Sequence, residues 1–161
     1  VSAVVIVLAG DPQGKGRARH RNVKTKDGRE FTTTYTPAKT RRYEAALQAA
    51  AVKAMRGREK LDGALRLLMI AVIAVPESWS KRKRDLALAG RIRPVSKPDW
   101  DNLAKTCDAL NKIVWVDDAR VVDGRIVKWY GPEPEVEIRV GVVDVEAEFR
   151  ARQPPPLELR P

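Results

Sequence analysis

Two short stretches concentrate carboxylates: Lys97-Pro98-Asp99-Trp100-Asp101-Asn102-Leu103-Ala104-Lys105 and Val116-Asp117-Asp118-Ala119-Arg120-Val121. Aspartate is a hard oxygen donor, suited to Mg²⁺ or Mn²⁺, and such ions keep waters that phosphate oxygens can replace. A centre of this kind can hydrolyse a phosphodiester, because the ion activates water and neutralises charge on the phosphorane and the leaving oxygen. Lys105 follows Asp101 by one helical turn, where its ammonium could stabilise the same developing charge. The single histidine, His20, and the single cysteine, Cys107, leave no materials for a histidine triad, a thiolate centre or a zinc site.

Each motif also has a structural reading. Asp99 or Asp101 can cap a helix, Asp117-Asp118 can form an Asx-type turn, and Lys105 with Asp101 can be an exposed ion pair worth ~0.3–0.5 kcal/mol. Taken together the motifs favour a carboxylate site, provided that the elements carrying them bring the start of one helix up to the turn before the next strand.

Those elements can be read from periodicity. Val4 to Ala9 is a continuous β-branched-rich run and reads as a central strand buried on both faces. The glycine-rich, cationic stretch from Gly10 to about Thr34 reads as a mobile loop whose glycines allow close backbone approach to a ligand. It has no Walker-type spacing. Thr36-Pro37 supplies an N-cap and a first-turn proline for an amphipathic helix carrying Tyr43, Ala46, Leu47, Ala50 and Ala54 and stopped by Gly57.

Ala64 to Val75, ended by Pro76, reads as a strand. Ser78 or Ser80 caps a short helix that begins with Lys81-Arg82-Lys83-Arg84 and ends at Gly90. Four cations at a helix N-terminus oppose its dipole, which suggests an anionic partner. After a linker from Arg91 to Pro98, a third helix carries the apolar stripe Leu103, Cys107, Leu110, with Asp101, Lys105, Asp108 and Lys112 opposite. Cys107 is then a buried core residue. Val121 to Trp129 and Glu135 to Val142 read as strands joined at Gly131-Pro132-Glu133-Pro134, the last with one wet face.

The chain has 161 residues, 43% hydrophobic and 32% charged, which fits one globular domain. Its net charge is +10, with 31 Lys and Arg against 21 Asp and Glu. The excess is clustered between Gly14 and Arg29 and at Lys81 to Arg84, while acids outnumber bases from Glu133 onward. This asymmetry suits a protein that holds a phosphate backbone, although a merely solvated surface would share it. Lys15, Arg17, Lys81 and Lys83 are the expected phosphate contacts. Trp100, between two acids, either stacks on an opened base or packs beneath its helix, and packing is the expectation. Trp79, Trp115 and Trp129 read as core or dimer contacts. One cysteine, no export signal and no apolar run of the roughly 20 residues needed for a membrane span point to the cytoplasm.

Asp99-x-Asp101-Asn102-Leu103-x-Lys105, then Asp108-Ala109-Leu110-Asn111, then Asp117-Asp118-x-x-Val121-Val122 resembles, in order and spacing, the signature of the RusA family of Holliday-junction resolvases. Supporting segments are Gly14-Lys15-Gly16-Arg17, Tyr35-Thr36-Pro37 and Pro76-Glu77-Ser78-Trp79-Ser80-Lys81, and the resemblance runs from about Val4 to Val142. The resemblance implies a homodimeric, Mg²⁺-dependent endonuclease of DNA recombination and repair, encoded by a bacterium or its phage. It would make paired, symmetric nicks across a four-way junction and leave ligatable ends. By position, Asp99, Asp101 and Asp118 match the catalytic metal-binding acids and Lys105 the catalytic lysine, while Asp117 repeats the acid beside Asp118. The long basic loop from Arg17 to Thr34 and the proline-rich tail depart from the family pattern. Flap or fork cleavage by the same acids, or a non-catalytic basic DNA-binding module, are the alternatives.

The expected fold is α+β: one domain over residues 1–143, with a mixed sheet of about four strands and helices packed on it in the order β, α, β, α, α, β, β. A disordered tail would follow over 144–161. The site should lie at one sheet edge, where the third helix begins and the following strand is entered.

Overall fold

A computed structural model of the chain describes residues 3–144, so the expected tail lies outside the described residues apart from its first position. The strands are β1 (Val4–Ala9), β2 (Arg19–Lys24), β3 (Glu30–Tyr35), β4 (Leu65–Ala74), β5 (Val121–Gly131) and β6 (Glu135–Val142). The α-helices are α1 (Ala38–Ala54), α2 (Lys81–Leu88) and α3 (Trp100–Ala104), with 3₁₀ turns over Lys105–Leu110 and Asp118–Arg120. The fold is α+β, built on a mixed four-stranded sheet in the order β1-β6-β4-β5.

β6 lies between β1 and β4 and runs antiparallel to both. β5 runs parallel to β4, which requires the long crossover carrying α2 and α3. One sheet face is the core: Val4 and Ile6, Leu65, Leu67, Met69 and Ala71, and Val136, Ile138 and Val140 alternate along three strands. α1 covers that face with Thr40, Tyr43, Leu47 and Ala51, a stripe at the helical repeat.

Several expectations need correction. β1 is an edge strand, paired only with β6, and its alternate residues Val5 and Val7 are about half exposed. Its unbroken apolar run hid a period of two, because the outward positions are also valines. Pro37, not Thr36, is the N-cap of α1, and no side-chain bond caps that helix. Ser80 is the cap of α2, accepting from the Lys83 amide.

The third helix is not continuous. Thr106 lies in its path and its hydroxyl donates to the Leu103 carbonyl at 2.6 Å, a local bond that competes with the helical ladder. Beyond Ala104 the chain tightens to 3₁₀ geometry and then leaves the helix, with Lys112 at φ 64°. The buried stripe is therefore Leu103, Thr106, Leu110, and Cys107 is only partly buried against the core. The expected mobile loop also contains structure, since β2 and β3 form a separate two-stranded sheet.

Candidate active site

Two carbonyl clamps and a close-packed loop fix the chain that leads into α3. Lys128, on edge strand β5, donates from its ammonium to the carbonyls of Ser96 at 2.7 Å and Pro98 at 3.1 Å. Arg93 donates to the Lys128 carbonyl at 2.8 Å, and its guanidinium lies 3.2 Å from the centre of the Trp129 ring. From the other side, the Lys15 amide donates to the Asn102 carbonyl at 2.8 Å and the Gly16 amide to the Thr40 hydroxyl at 3.1 Å. A Cβ on Gly14 would lie 2.7 Å from the Asn102 Cβ, so only glycine lets the loop close on the helix there.

Asp99 is the N-cap of α3, but its side chain makes no capping bond. Asn102 reaches its carboxylate at only 3.5 Å, and the group is exposed. Asp101 accepts from the Lys105 ammonium at 2.9 Å. That bond, helped by the lysine's charge, holds Asp101 below the usual carboxylate range. Both side chains are more than half exposed, so the pair adds little to stability and remains open to solvent and ligand.

Asp117 and Asp118 divide the two readings of the acidic turn between them. Asp117 is the cap of the short turn before β5, accepting from the Ala119 amide at 3.0 Å and from Lys112 at 2.8 Å. Those bonds, the lysine's first, lower its pKa. Asp118 faces the other way. One oxygen accepts from the Trp115 indole N–H at 2.8 Å and the other from the Asn111 amide at 2.8 Å. Trp115 is itself 1% exposed, so a core residue aims this carboxylate.

Around these groups lie two cavities. One, of about 190 Å³ between α3 and β5, is lined by Trp100, Cys107, Asp108, Trp115, Asp118 and Arg125 among others. Trp100 does not pack beneath its helix as expected; it is 56% exposed at the rim of this cavity. Leu103 supplies the helix's burial, and a residue in the first turn stays at the solvent edge. Burial, with Asp108 and Asp118 nearby, pushes the Cys107 thiol up to about 12, which makes it inert rather than nucleophilic.

The second cavity, about 780 Å³, is a groove lined by the loop from Pro12 to Arg19, by Pro37, Lys39 and Thr40, and by Lys97, Pro98, Asp99 and Asn102. Arg17, Arg19, Lys39 and Lys97 are exposed along it and have no ion-pair partner among the described residues. Lys15 differs: its ammonium is held by Asp108 at 3.0 Å and Glu44 at 3.3 Å, and its pKa is raised, chiefly by the Asp108 bond. Its charge pins the loop to the body of the protein.

Lys81 and Lys83 are not in this groove. Lys81 lines a separate cavity with Arg82, Asp85 and Arg91, and the Lys83 ammonium lies 3.7 Å from the centre of the Trp79 ring. Sequence reasoning missed Asn111 and Trp115 as partners of Asp118, and Lys128 as the clamp before Asp99. A hydrogen-bond donor three residues before an acid at a turn was the available signal for Trp115; nothing in the sequence marked Lys128.

Among the described residues, no three His, Cys, Asp or Glu side chains converge closely enough to hold a metal ion. Asp99 opens on the groove and Asp118 on the smaller cavity, so the acids flank α3 rather than forming a closed cage. Mg²⁺ takes only one or two protein carboxylates and fills its remaining positions with water and phosphate oxygens. Exposed aspartates with a fixed partner each, Lys105 for Asp101 and Trp115 with Asn111 for Asp118, fit that ion in kind and number.

Exposed carboxylates at a helix start beside a groove of unpaired cations are an arrangement able to grip a phosphodiester and to act on it. The sequence profile of the family described as Endodeoxyribonuclease RusA matches residues 9–141, and this chain belongs to that family. The chain is also similar to "Uncharacterized protein YqaN" of Bacillus subtilis (strain 168), at 45% identity over 64 residues, 39% of this chain. The match spans 45% of that protein, less than half its length. No helix among the described residues is long and apolar enough to cross a membrane.

Proposed function

We propose that this protein is a Mg²⁺-dependent endonuclease that resolves four-way DNA junctions by paired nicks, acting as a homodimer in recombination and repair. The observation that carries the reading is the groove of unpaired Arg17, Arg19, Lys39 and Lys97 that reaches Asp99, two residues before Asp101 of the Asp101–Lys105 pair. Membership in an endodeoxyribonuclease family supports the same chemistry.

Asp99, Asp101 and Asp118 are the acids that would serve the ion, one or two of them as its direct ligands and the rest through water, and Mn²⁺ would serve in its place. When bound, the ion supplies an activated water and charge neutralisation at phosphorus. The chain's own residues do the rest. The groove cations grip the phosphates flanking the scissile bond and set its register without reading sequence. Lys105 steadies Asp101 and presents positive charge where the phosphorane accumulates negative charge. Trp115 and Asn111 hold Asp118 in one orientation, so that little ordering is left to do when phosphate arrives. Lys81 and Lys83 on α2 offer a second cationic surface for a further arm, while Lys15 acts mainly by holding the loop.

Two symmetric nicks need two such sites, hence two copies of the chain. The sheet face away from α1 supports this assembly: Val5 and Val7 on β1 and Leu68 and Ile70 on β4 flank the Arg139–Glu137 ion pair, and α1, on the opposite face, is the helix that packs substantially on β1 among the described residues.

The test is cleavage of an end-labelled four-way junction, a flap, a fork and a linear duplex of matched sequence, in Mg²⁺ and in EDTA. Paired, Mg²⁺-dependent nicks confined to the junction support the proposal. Cleavage of flaps or forks in preference to the junction would replace the substrate, and tight binding without cleavage in Mg²⁺ or Mn²⁺ would replace the enzyme with a DNA-binding module.

A further inference from the structure

The β2-β3 hairpin has two unlike faces. On one, every cross-strand pair is closed by its own bond: His20 with Thr34 at 3.0 Å, Thr32 with Asn22 at 2.9 Å, and Lys24 with Glu30 at 3.3 Å. The other face pairs Arg19 with Tyr35, Arg21 with Thr33, and Val23 with Phe31. Neither arginine has an ion-pair partner among the described residues, and Tyr35 and Phe31 are 44% and 51% exposed. The hairpin's extensive contacts are internal, since β2 and β3 each pack substantially only on the other. A lone two-stranded ribbon is marginally stable in water, and half-exposed aromatics beside unpaired arginines leave apolar surface and charge together for a partner to cover.

We propose that this arginine-aromatic face is a β-ribbon that lies in the major groove of a duplex arm of the DNA substrate. The dimensions suit it: six residues per strand span about 20 Å, and a two-stranded ribbon enters a groove ~12 Å wide. Charge complementarity favours this occupant. From Arg19 to Tyr35 the chain carries Arg19, Arg21, Lys24, Lys26 and Arg29 against only Asp27 and Glu30, which suits a polyanion and disfavours pairing of this ribbon with its own like-charged copy. The ribbon is also continuous with the site, because Arg19, the first residue of β2, lines the groove that ends on Asp99. A duplex arm gripped by the ribbon would therefore feed a strand into that groove. The inference takes from the proposed function only that the substrate is DNA.

The test is binding of a linear duplex and of a four-way junction to the full chain in EDTA, across a range of salt, with amide hydrogen exchange on the same complexes. Arg19→Ala/Arg21→Ala should weaken binding by at least tenfold at moderate salt and flatten the dependence of log K on log salt by about 2, one unit per lost phosphate contact. Phe31→Ser should weaken binding severalfold with the salt slope unchanged. Asn22→Ala, on the closed face, should do neither. DNA should slow exchange at the amides of residues 19–35. A double variant with wild-type affinity and slope overturns the proposal, as does protection of these amides that grows with protein concentration in the absence of DNA, which would assign the face to a second copy. Binding in EDTA is read independently of cleavage, so wild-type protein that binds through this face but leaves junctions intact in a separate Mg²⁺ incubation would refute the resolvase reading and leave the ribbon standing.

Discussion

Replacing Trp115 by phenylalanine keeps an aromatic ring in the core and deletes the one donor that ties Asp118 to it. Trp115 is 1% exposed and its indole N–H donates to Asp118 at 2.8 Å. Losing the buried part of the indole costs about 1–2 kcal/mol. Losing a hydrogen bond to a charged group costs about 1.5–3 kcal/mol, toward the lower end here because water can reach the exposed carboxylate. The sum, about 2.5–4 kcal/mol, is smaller than the 5–15 kcal/mol typical of a domain, so the variant folds. Its melting temperature should fall by about 5–15 °C.

The functional effect is separate from that loss. With only the Asn111 amide left to orient it, Asp118 samples more rotamers, and losing an outer partner of a metal ligand typically costs 10–100-fold in metal affinity or activity. The assay is junction cleavage against Mg²⁺ concentration at a temperature where the variant is fully folded by denaturant titration. The Mg²⁺ midpoint should rise by about tenfold or more, and much of the wild-type rate should return at saturating ion. Reduced stability with an unchanged Mg²⁺ midpoint would refute the reasoning and make Trp115 a core residue only.

Lys128→Met frees the Ser96 and Pro98 carbonyls, so the approach to Asp99 loosens; cleavage should fall about tenfold while duplex binding in EDTA stays near wild type, and Lys128→Arg should recover part of the rate. Lys105→Met removes the main cause of Asp101's lowered pKa, so carboxyl titration followed by ¹³C NMR should move up toward the ordinary range. In wild type, whatever small stability the pair gives is present above that range and is lost as pH falls through the depressed value. An unmoved Asp101 titration would dissociate the pair in solution. The Cys107 thiol is raised to about 12, so the folded protein keeps a proton that the unfolded chain releases from about 9 upward. Stability should therefore decline with rising pH across that window, and Cys107→Ala should flatten the decline in denaturant midpoints.

The elements that place the site were legible because their signals are local. Tyr43 and Leu47 on α1, the Ala64 to Val75 run and the alternation of Val136, Ile138 and Val140 each declare one buried face. The meeting of α3 with the approach to edge strand β5 was foreseeable from the Leu103 and Leu110 positions. The hairpin was missed although Asp27-Gly28 is a turn signal and Gly28 adopts φ 84°; basic residues on β2 masked the β-branched run Thr32-Thr33-Thr34 on β3. Edge and central strands could not be distinguished in β1, because pairing partners come from the whole topology and not from six residues. The acids were legible by type and spacing, but their roles were not: Asp117 turns out to cap while Asp118 is aimed from the core, a division set by Trp115 and Asn111.

The central claim is that the carboxylates at the start of α3 perform hydrolysis and do not merely cap it. Asp101→Asn tests it most directly, since the substitution keeps the shape, removes the charge and leaves the groove cations untouched. Cleavage of a labelled four-way junction in Mg²⁺ should be lost, while junction binding stays the same or tightens, because removing a negative charge near phosphate relieves repulsion. Cleavage that persists, or binding that disappears together with it, would contradict the account and return Asp101 to a structural role.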